Sequence, residues 1–301
     1  MIRRKYLAGI GLLVLAAVAA RAGAQPPPQR LPSAILVYPL IVVEDGGATQ
    51  DTRVEIVNLT GVDQDLSCFY VDEFCNELGF EVSLTANQPL SWLASRGTFG
   101  TVGPVSVPPF FASGELKCSV IPHDTSVDSY NAIQGRAIVI GSDGQTIGFG
   151  AVGFQRLSDG DYTNVADLDG QTYAECPAQL DFAFLATQPG SASEIVLAPC
   201  TEDLENQIPM STIVQLRVFN EFEESLSGSY RVTCLSRQLL STASPIFKLS
   251  QLGSPTGHLS VQAAGIPVIG LLIDRFTDGA LSTSANEPFL QGGSPARLTF
   301  P

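Results

Sequence analysis

Apolar and polar residues alternate along much of this chain, and the clearest run of alternation occurs twice. In 50–68, Val54 and Ile56 share one face of an extended segment, while Arg53 and Glu55 share the other. A polar break opens at Asn58, and beyond it a second alternating segment carries Leu66, Cys68 and Tyr70 on one face. In 210–234, Val214, Leu216 and Val218 oppose Gln215 and Arg217; an acidic break comes after Asn220, and Tyr230, Val232 and Cys234 line up beyond it. A period of two places successive side chains on opposite sides of a strand, so each unit predicts two half-buried antiparallel strands with a cysteine on the inward face. Two copies of one unit in one chain predict tandem modules of similar fold.

The remaining pattern agrees. The run 34–43 is continuously apolar and ends in Glu-Asp-Gly-Gly, a strand followed by a turn. Further strands are predicted at 80–85, 114–120, 136–140, 146–154, 180–186, 194–198, 258–263, 268–276 and 296–300. Asp143-Gly144 is a hairpin signal, and Asp278-Gly279 marks another turn. No long segment has helical periodicity, although 202–207 has room for one helical turn. Many short strands punctuated by Gly, Pro and Asp-Gly predict an all-β chain of two tandem antiparallel β-sandwich domains, immunoglobulin-like or similar. Trp92 sits wrongly for the usual immunoglobulin tryptophan and reads as a core anchor.

At the N-terminus Arg3, Arg4 and Lys5 precede an apolar run from Leu7 to Ala20, and Ala22-Gly23-Ala24 is a small-x-small cleavage site. This predicts an export signal over 1–24. Arg3-Arg4-Lys5-Tyr6-Leu7 also loosely resembles a twin-arginine signal. The expected organisation is then a Pro-rich lead-in at 25–32, a first domain at 33–157, an acidic linker at 158–170 and a second domain at 171–301. Removal of Arg3, Arg4, Lys5 and Arg21 leaves 12 basic against 30 acidic residues, a net of −18. Such a surface repels nucleic acid and anionic membranes. The mature chain contains no apolar run long enough to span a bilayer. The expected location is the periplasm, the cell surface or the medium.

Six cysteines in an exported chain read as disulfides rather than zinc ligands, because there is no Cys-x-x-Cys pair and His123 and His258 lack suitably spaced partners. Six cysteines leave many connectivities open. Cys68 with Cys118 would close the first module, since Leu116, Cys118 and Val120 also form an inward set, and Cys200 with Cys234 would close the second. Cys75 with Cys176 remains.

A resemblance covers most of the mature chain. Val214-Gln-Leu-Arg-Val-Phe-Asn-Glu-Phe-Glu, Val232-Thr-Cys, Cys68-Phe-Tyr, Gln88-Pro-Leu-Ser-Trp and Gly114-Glu-Leu-Lys-Cys are similar to segments of uncharacterised exported bacterial proteins with tandem β-sandwich modules. The resemblance implies a secreted context and a tandem layout, and no activity.

Candidate chemistry is sparse. Gly148-Phe-Gly-Ala-Val-Gly153 matches the dinucleotide fingerprint in letters, but Gln155-Arg-Leu-Ser-Asp-Gly beyond it is no helix start, so the glycines read as strand positions that allow close packing. Asp159, Asp161, Asn164, Asp167 and Asp169 concentrate oxygen ligands suited to calcium, without the spacing of an EF-hand loop. There is no nucleophile elbow and no zinc-protease helix motif, although a glycosidase carboxylate pair is invisible to sequence. Asn58-Leu-Thr60 is a glycosylation sequon, relevant only in a eukaryotic secretory pathway. The loop 95–113 carries Phe110 and Phe111, a candidate binding surface if they are not tucked under a sheet.

The leading expectation is a non-enzymatic exported protein that binds an unknown protein or glycan, or serves structurally, in the cell envelope or outside it. It needs no cofactor; calcium is the one candidate ion. The alternatives are a secreted, glycan-acting hydrolase using a carboxylate pair, and a calcium-stabilised envelope module.

Overall fold

The computed structural model describes residues 31–98, 106–276 and 282–301. The expected export signal and most of the lead-in, the Asp278-Gly279 turn and part of the loop 95–113 lie outside them.

In chain order the first strands are β1 Ile35–Val42, β2 Gln50–Asn58, β3 Gln64–Asp72, β4 Glu77–Leu84, β5 Pro89–Leu93, β6 Ser113–Ile121 and β7 Ile133–Gly141. They are followed by β8 Thr146–Gly150, β9 Val152–Phe154, β10 Val165–Leu168, β11 Cys176–Leu185, β12 Ser191–Pro199, β13 Glu202–Asp203 and β14 Ser211–Asn220. The last are β15 Ser225–Thr233, β16 Ser236–Leu239, β17 Thr256–Ala263, β18 Val268–Phe276, β19 Ser282–Asn286, β20 Phe289–Ser294 and β21 Ala296–Thr299. Alternation set these strands: along β14, Thr212, Val214, Leu216 and Val218 are buried while Ser211, Ile213, Gln215 and Arg217 are exposed. The Asp143-Gly144 turn joins β7 to β8 as an antiparallel pair, with Gly144 at φ +82°. Residues 202–207 begin with the short strand β13 rather than a helical turn.

The strands pair into five sheets. The first has the order β4-β3-β6-β1-β9 and the second β5-β2-β7-β8. The third is β10-β21-β13, the fourth β16-β12-β18-β19 and the fifth β15-β14-β17-β11-β20. The chain is nearly all β, as expected, but the expectation of two tandem β-sandwich domains is corrected: the five small sheets are grouped in a propeller-like ring. Within them the strand order is not the sequential meander of a regular propeller blade, since β1 sits between β6 and β9.

Three observations explain the correction. First, one hydrophobic core crosses between the two halves of the chain: Val37, Tyr38 and Leu116 belong to the same buried cluster as Val196, Ile269, Ile273 and Phe300. β1 is buried along its whole length because one face packs on β2 and β7 and the other on β12 and β18. Its continuous apolar run is the signature of a strand covered on both sides. Second, the stretch expected as a solvated linker carries β10, which pairs with the C-terminal β21 from Val165–Thr299 to Leu168–Ala296. Third, a disulfide joins Cys75 to Cys234, 159 residues apart and in opposite halves.

The cysteine pairing is corrected as well. Cys68–Cys118 forms as expected, because these residues stand directly opposite on β3 and β6. The other bridges are Cys75–Cys234 and Cys176–Cys200, in place of Cys200–Cys234 and Cys75–Cys176. Cys75 lies in the β3–β4 turn, where Asp72 Oδ1 accepts from the N–H groups of Phe74 and Asn76, and its φ of +67° turns it out of the strand plane. Cys234 comes just after β15 with φ +51°.

The duplicated unit also differs between its copies. β14 and β15 form a hairpin in one sheet, whereas β2 and β3 enter different sheets. What repeats is the asparagine at the end of the first strand. Asn58 and Asn220 are both buried, and each side-chain carbonyl accepts backbone N–H groups of the adjoining turn: Thr60 in one case, Phe222 and Glu224 in the other. Asn58 Nδ2 is engaged with the carbonyls of Val62 and Thr85, so the sequon asparagine is a structural one.

Candidate functional site

The outer face of the fifth sheet presents ordered rows of polar side chains. The pairing registers stack its outward side chains into rows across the strands. One row runs Gln291, Gln179, Gln262, Gln215, Ser229 from β20 through β11, β17 and β14 to β15. The next runs Phe289, Asp181, Ser260, Arg217, Ser227. A third runs Ala183, His258, Phe219, Ser225. Each row arises from the same alternation that buries Leu180, Phe182, Leu216, Val218, Leu259 and Val261 on the other side.

Asp181 organises the face. Its side chain is only 6% exposed, and its carboxylate accepts from Gln179 Nε2 (2.8 Å) and Gln291 Nε2 (2.6 Å). His258 Nε2 lies 3.2 Å from the same group. Gln262 Nε2 in turn donates to Gln179 Oε1, so a directional chain of amides leads to one carboxylate. Beside it, His258 stacks on Phe219 with ring centroids 6.0 Å apart, and the Arg217 guanidinium lies 4.8 Å over the Phe219 ring. Phe289, 70% exposed, stands next to Asp181 in its row. Asp181, His258, Phe219, Arg217 and the glutamines line a shallow trough of about 850 Å³, in which Asp181 is the only acid among the described residues.

A second trough, about 910 Å³, lies at the second sheet. Its walls include the Glu55–Arg136 ion pair (2.5 Å), and Gly148, Gly150 and Gly153 line it. These are the glycines of the dinucleotide-like letters. They lie on β8 and β9, where the chain passes from the second sheet to the first, with no helix start behind them. Glu287 accepts from the Gly150 N–H at 2.8 Å.

The other sequence candidates are dispersed. Asp159 accepts the Val127 N–H (2.8 Å), Asp167 pairs with Arg297 (2.6 Å), and Asp161 and Asn164 are exposed. Asp169 accepts from Gln171 N–H (2.9 Å) and Thr172 N–H (2.6 Å). Burial pushes the Asp169 carboxyl up, but these backbone donors together outweigh it and hold the group below its ordinary value. No group of three or more metal-ligating side chains occurs among the described residues. Phe110 and Phe111 part company: Phe110 is buried and stacks on Tyr70 at 4.6 Å, while Phe111 is 65% exposed. Trp92 is a core residue whose Nε1 donates to the Tyr70 hydroxyl (2.7 Å).

Sequence reading missed two sets. The glutamine rows were legible only as the outward phase of separate strands, since nothing local shows that Gln179, Gln262 and Gln291 are neighbours. The second set is Glu115, Lys117 and Glu202, all buried. Glu115 and Lys117 occupy the phase of β6 opposite to Leu116 and Cys118, the phase that ordinarily meets water, yet here further strands cover it.

No protein-family model matches the chain, and no curated protein matches it. Among solved structures it is similar to the Thermotoga maritima protein 1070, at 10% identity over 40% of this chain and 98% of that one, with a TM-score of 0.30. The exported protein XepA of PBSX shares 11% identity over 91% of this chain and 99% of its own, at a TM-score of 0.18. Bacillus subtilis oxalate decarboxylase shares 8% identity over 84% of this chain and 67% of its own, at 0.19. These are weak neighbours, and no family match supports the finer resemblance to exported tandem-module proteins. All six cysteines are disulfide-bonded, and no helix of the described residues is long and apolar enough to cross a membrane. Both facts are compatible with an exported protein.

Proposed function

We propose that this is an exported, non-enzymatic binding protein whose ligand is a glycan lying across the outer face of the fifth sheet. The observation that supports this reading is the set of three cross-strand rows converging on Asp181. Sugar hydroxyls are both donors and acceptors, and planar amides in register present both groups at the ~4.8 Å spacing of neighbouring strands. Asp181 is held by the side-chain amides of Gln179 and Gln291, so its carboxylate is oriented before a ligand arrives and little ordering is left to do on binding. The apolar face of a sugar ring has Phe289 and the Phe219–His258 pair to lie against.

The hydrolase alternative needs two carboxyl groups flanking one bond. The lining of this trough supplies one, and in the second trough Glu55 is paired with Arg136 while Glu287 holds a backbone N–H. The test is a glycan array followed by calorimetry on the best binder. Asp181→Ala and Gln179→Ala are each expected to weaken binding by tenfold or more, on the order of 1.4 kcal/mol, with the fold unchanged. Binding that survives both substitutions, or an array without hits, would refute the proposal.

A further inference from the structure

The buried set Glu115–Lys117–Glu202 has no part in the proposed ligand face, yet it is the most unusual chemistry in the molecule. Lys117 is wholly buried, Glu115 likewise, and Glu202 is 4% exposed. Lys117 Nζ lies 2.5 Å from Glu115 Oε1 and is in direct contact with Glu202 Oε2, to which it donates a hydrogen bond. On the sheet, Lys117 stands between Val37 of β1 and Phe69 of β3, both buried. Glu202 reaches it from β13, which pairs in parallel with β21. Glu115 Oε2 has no hydrogen-bond partner. Three ionisable groups taken out of water, with one amine against two carboxyls, form an expensive arrangement if they stay ionic. A primary amine held against a carboxyl in a buried site also brings the two partners of an amide into contact.

We propose that Lys117 and Glu202 become covalently joined by an amide between Nζ and the side-chain carbonyl carbon Cδ, with Glu115 relaying the proton. The pair first redistributes one proton, from the ammonium to the carboxylate, giving a neutral amine and a neutral acid. The nitrogen lone pair attacks Cδ, the C–N bond forms, and the C–OH bond of the acid breaks. The leaving oxygen departs as water, carrying its own hydrogen and one hydrogen from the amine. No oxidant, reductant or other reactant is needed. The product removes two buried opposite charges and ties β6 to β13, across the boundary between the two halves of the chain.

Burial supports the proton-carrying role of Glu115. Desolvation pushes its carboxyl up to about 8 despite the pull of Lys117, so the group holds a proton near neutrality. Burial works against a charge on Lys117, but the two carboxylates outweigh it and hold the ammonium above its ordinary value, so the neutral amine forms only by handing its proton to a carboxyl in direct contact. Glu77, at the edge of the same cluster, is raised to about 7 by desolvation and by Glu202.

Mass spectrometry of the purified full chain, with its cysteines reduced and alkylated, tests this directly. The expected wild-type mass is lower than the sequence mass by one water, and proteolysis with trypsin is expected to release a branched peptide joining 97–136 to 157–217, uncut at Lys117. Peptide mapping separates this from dehydration at Asp-Gly pairs and from loss of ammonia at an N-terminal glutamine. Lys117→Arg, whose guanidinium does not acylate readily, is expected to show no branch, and Glu115→Gln a much reduced branched fraction with unchanged disulfides. A folded wild-type chain whose peptides at Lys117 and Glu202 are both unlinked overturns the proposal, as does a branch from Lys117 to any other residue.

Discussion

Removal of the Cys75–Cys234 bridge tests whether the two halves of this chain form one cooperative body. The perturbation is the double substitution Cys75→Ser and Cys234→Ser, which leaves Cys68–Cys118 and Cys176–Cys200 in place. The bridge closes a loop of 159 residues. In the chain-entropy account a loop of that length restricts the unfolded state by about 5 kcal/mol, and measured values are commonly about 2–4 kcal/mol. The two remaining bridges shorten the effective loop only modestly, and loop entropy depends on the logarithm of length, so they change the figure by a few tenths of a kcal/mol, roughly. For a chain of this size the loss corresponds to a fall in Tm on the order of 10 °C. The assay uses the single tryptophan. Trp92 is buried in the first half, so its fluorescence reports that half alone, while far-UV circular dichroism reports all the strands. With a core shared between β1 and the β12–β18 pair, both signals are expected to shift together to lower urea in the double variant. A fluorescence midpoint that stays at the wild-type value while the dichroism splits into two steps would refute a shared core.

The Tyr70→Phe variant leaves the Trp92 indole N–H without its acceptor in a buried site, and a loss of about 1–3 kcal/mol is expected in urea unfolding; a loss within error would mean that the bond contributes nothing. At Gly135 a Cβ would run into the hydroxyl of the fully buried Tyr38, which donates to the Glu55 carbonyl at 2.9 Å, so Gly135→Ala is expected to cost about 1–3 kcal/mol by overpacking and is checked by the same melt. Asp169 has a folded-state pKa below its ordinary value of 3.8, so its contribution is fully present above 3.8 and is lost as pH falls from there through the lower folded-state value. Asp169→Asn is therefore expected to lower the neutral plateau of the stability curve and to flatten its acid limb, as read by denaturant melts from neutral pH down through that limb. Because Asp159, Asp167 and Asp169 already hold backbone N–H groups or Arg297, added calcium is expected to leave the thermal midpoint unchanged, and a rise with calcium that chelator reverses would contradict that.

The residues themselves determined where the strands lie and which face of each is apolar. Val214, Leu216 and Val218 are buried where period two puts them, the apolar run of β1 is a covered strand, and Asp143-Gly144 makes its hairpin. Tertiary structure alone decided which strands become neighbours. Two strand-turn-strand units of like alternation end in different pairings, β14 with β15 but β2 apart from β3, because alternation specifies a face and carries no information about the partner across the hydrogen bonds. The same gap misassigned two disulfides, since Cys75 and Cys234 meet only after the halves pack. It also hid the burial of Lys117 and the glutamine rows around Asp181. Each of those sites is assembled from strands remote in sequence, and the contact that gives it its chemistry is made between strands and not along one of them.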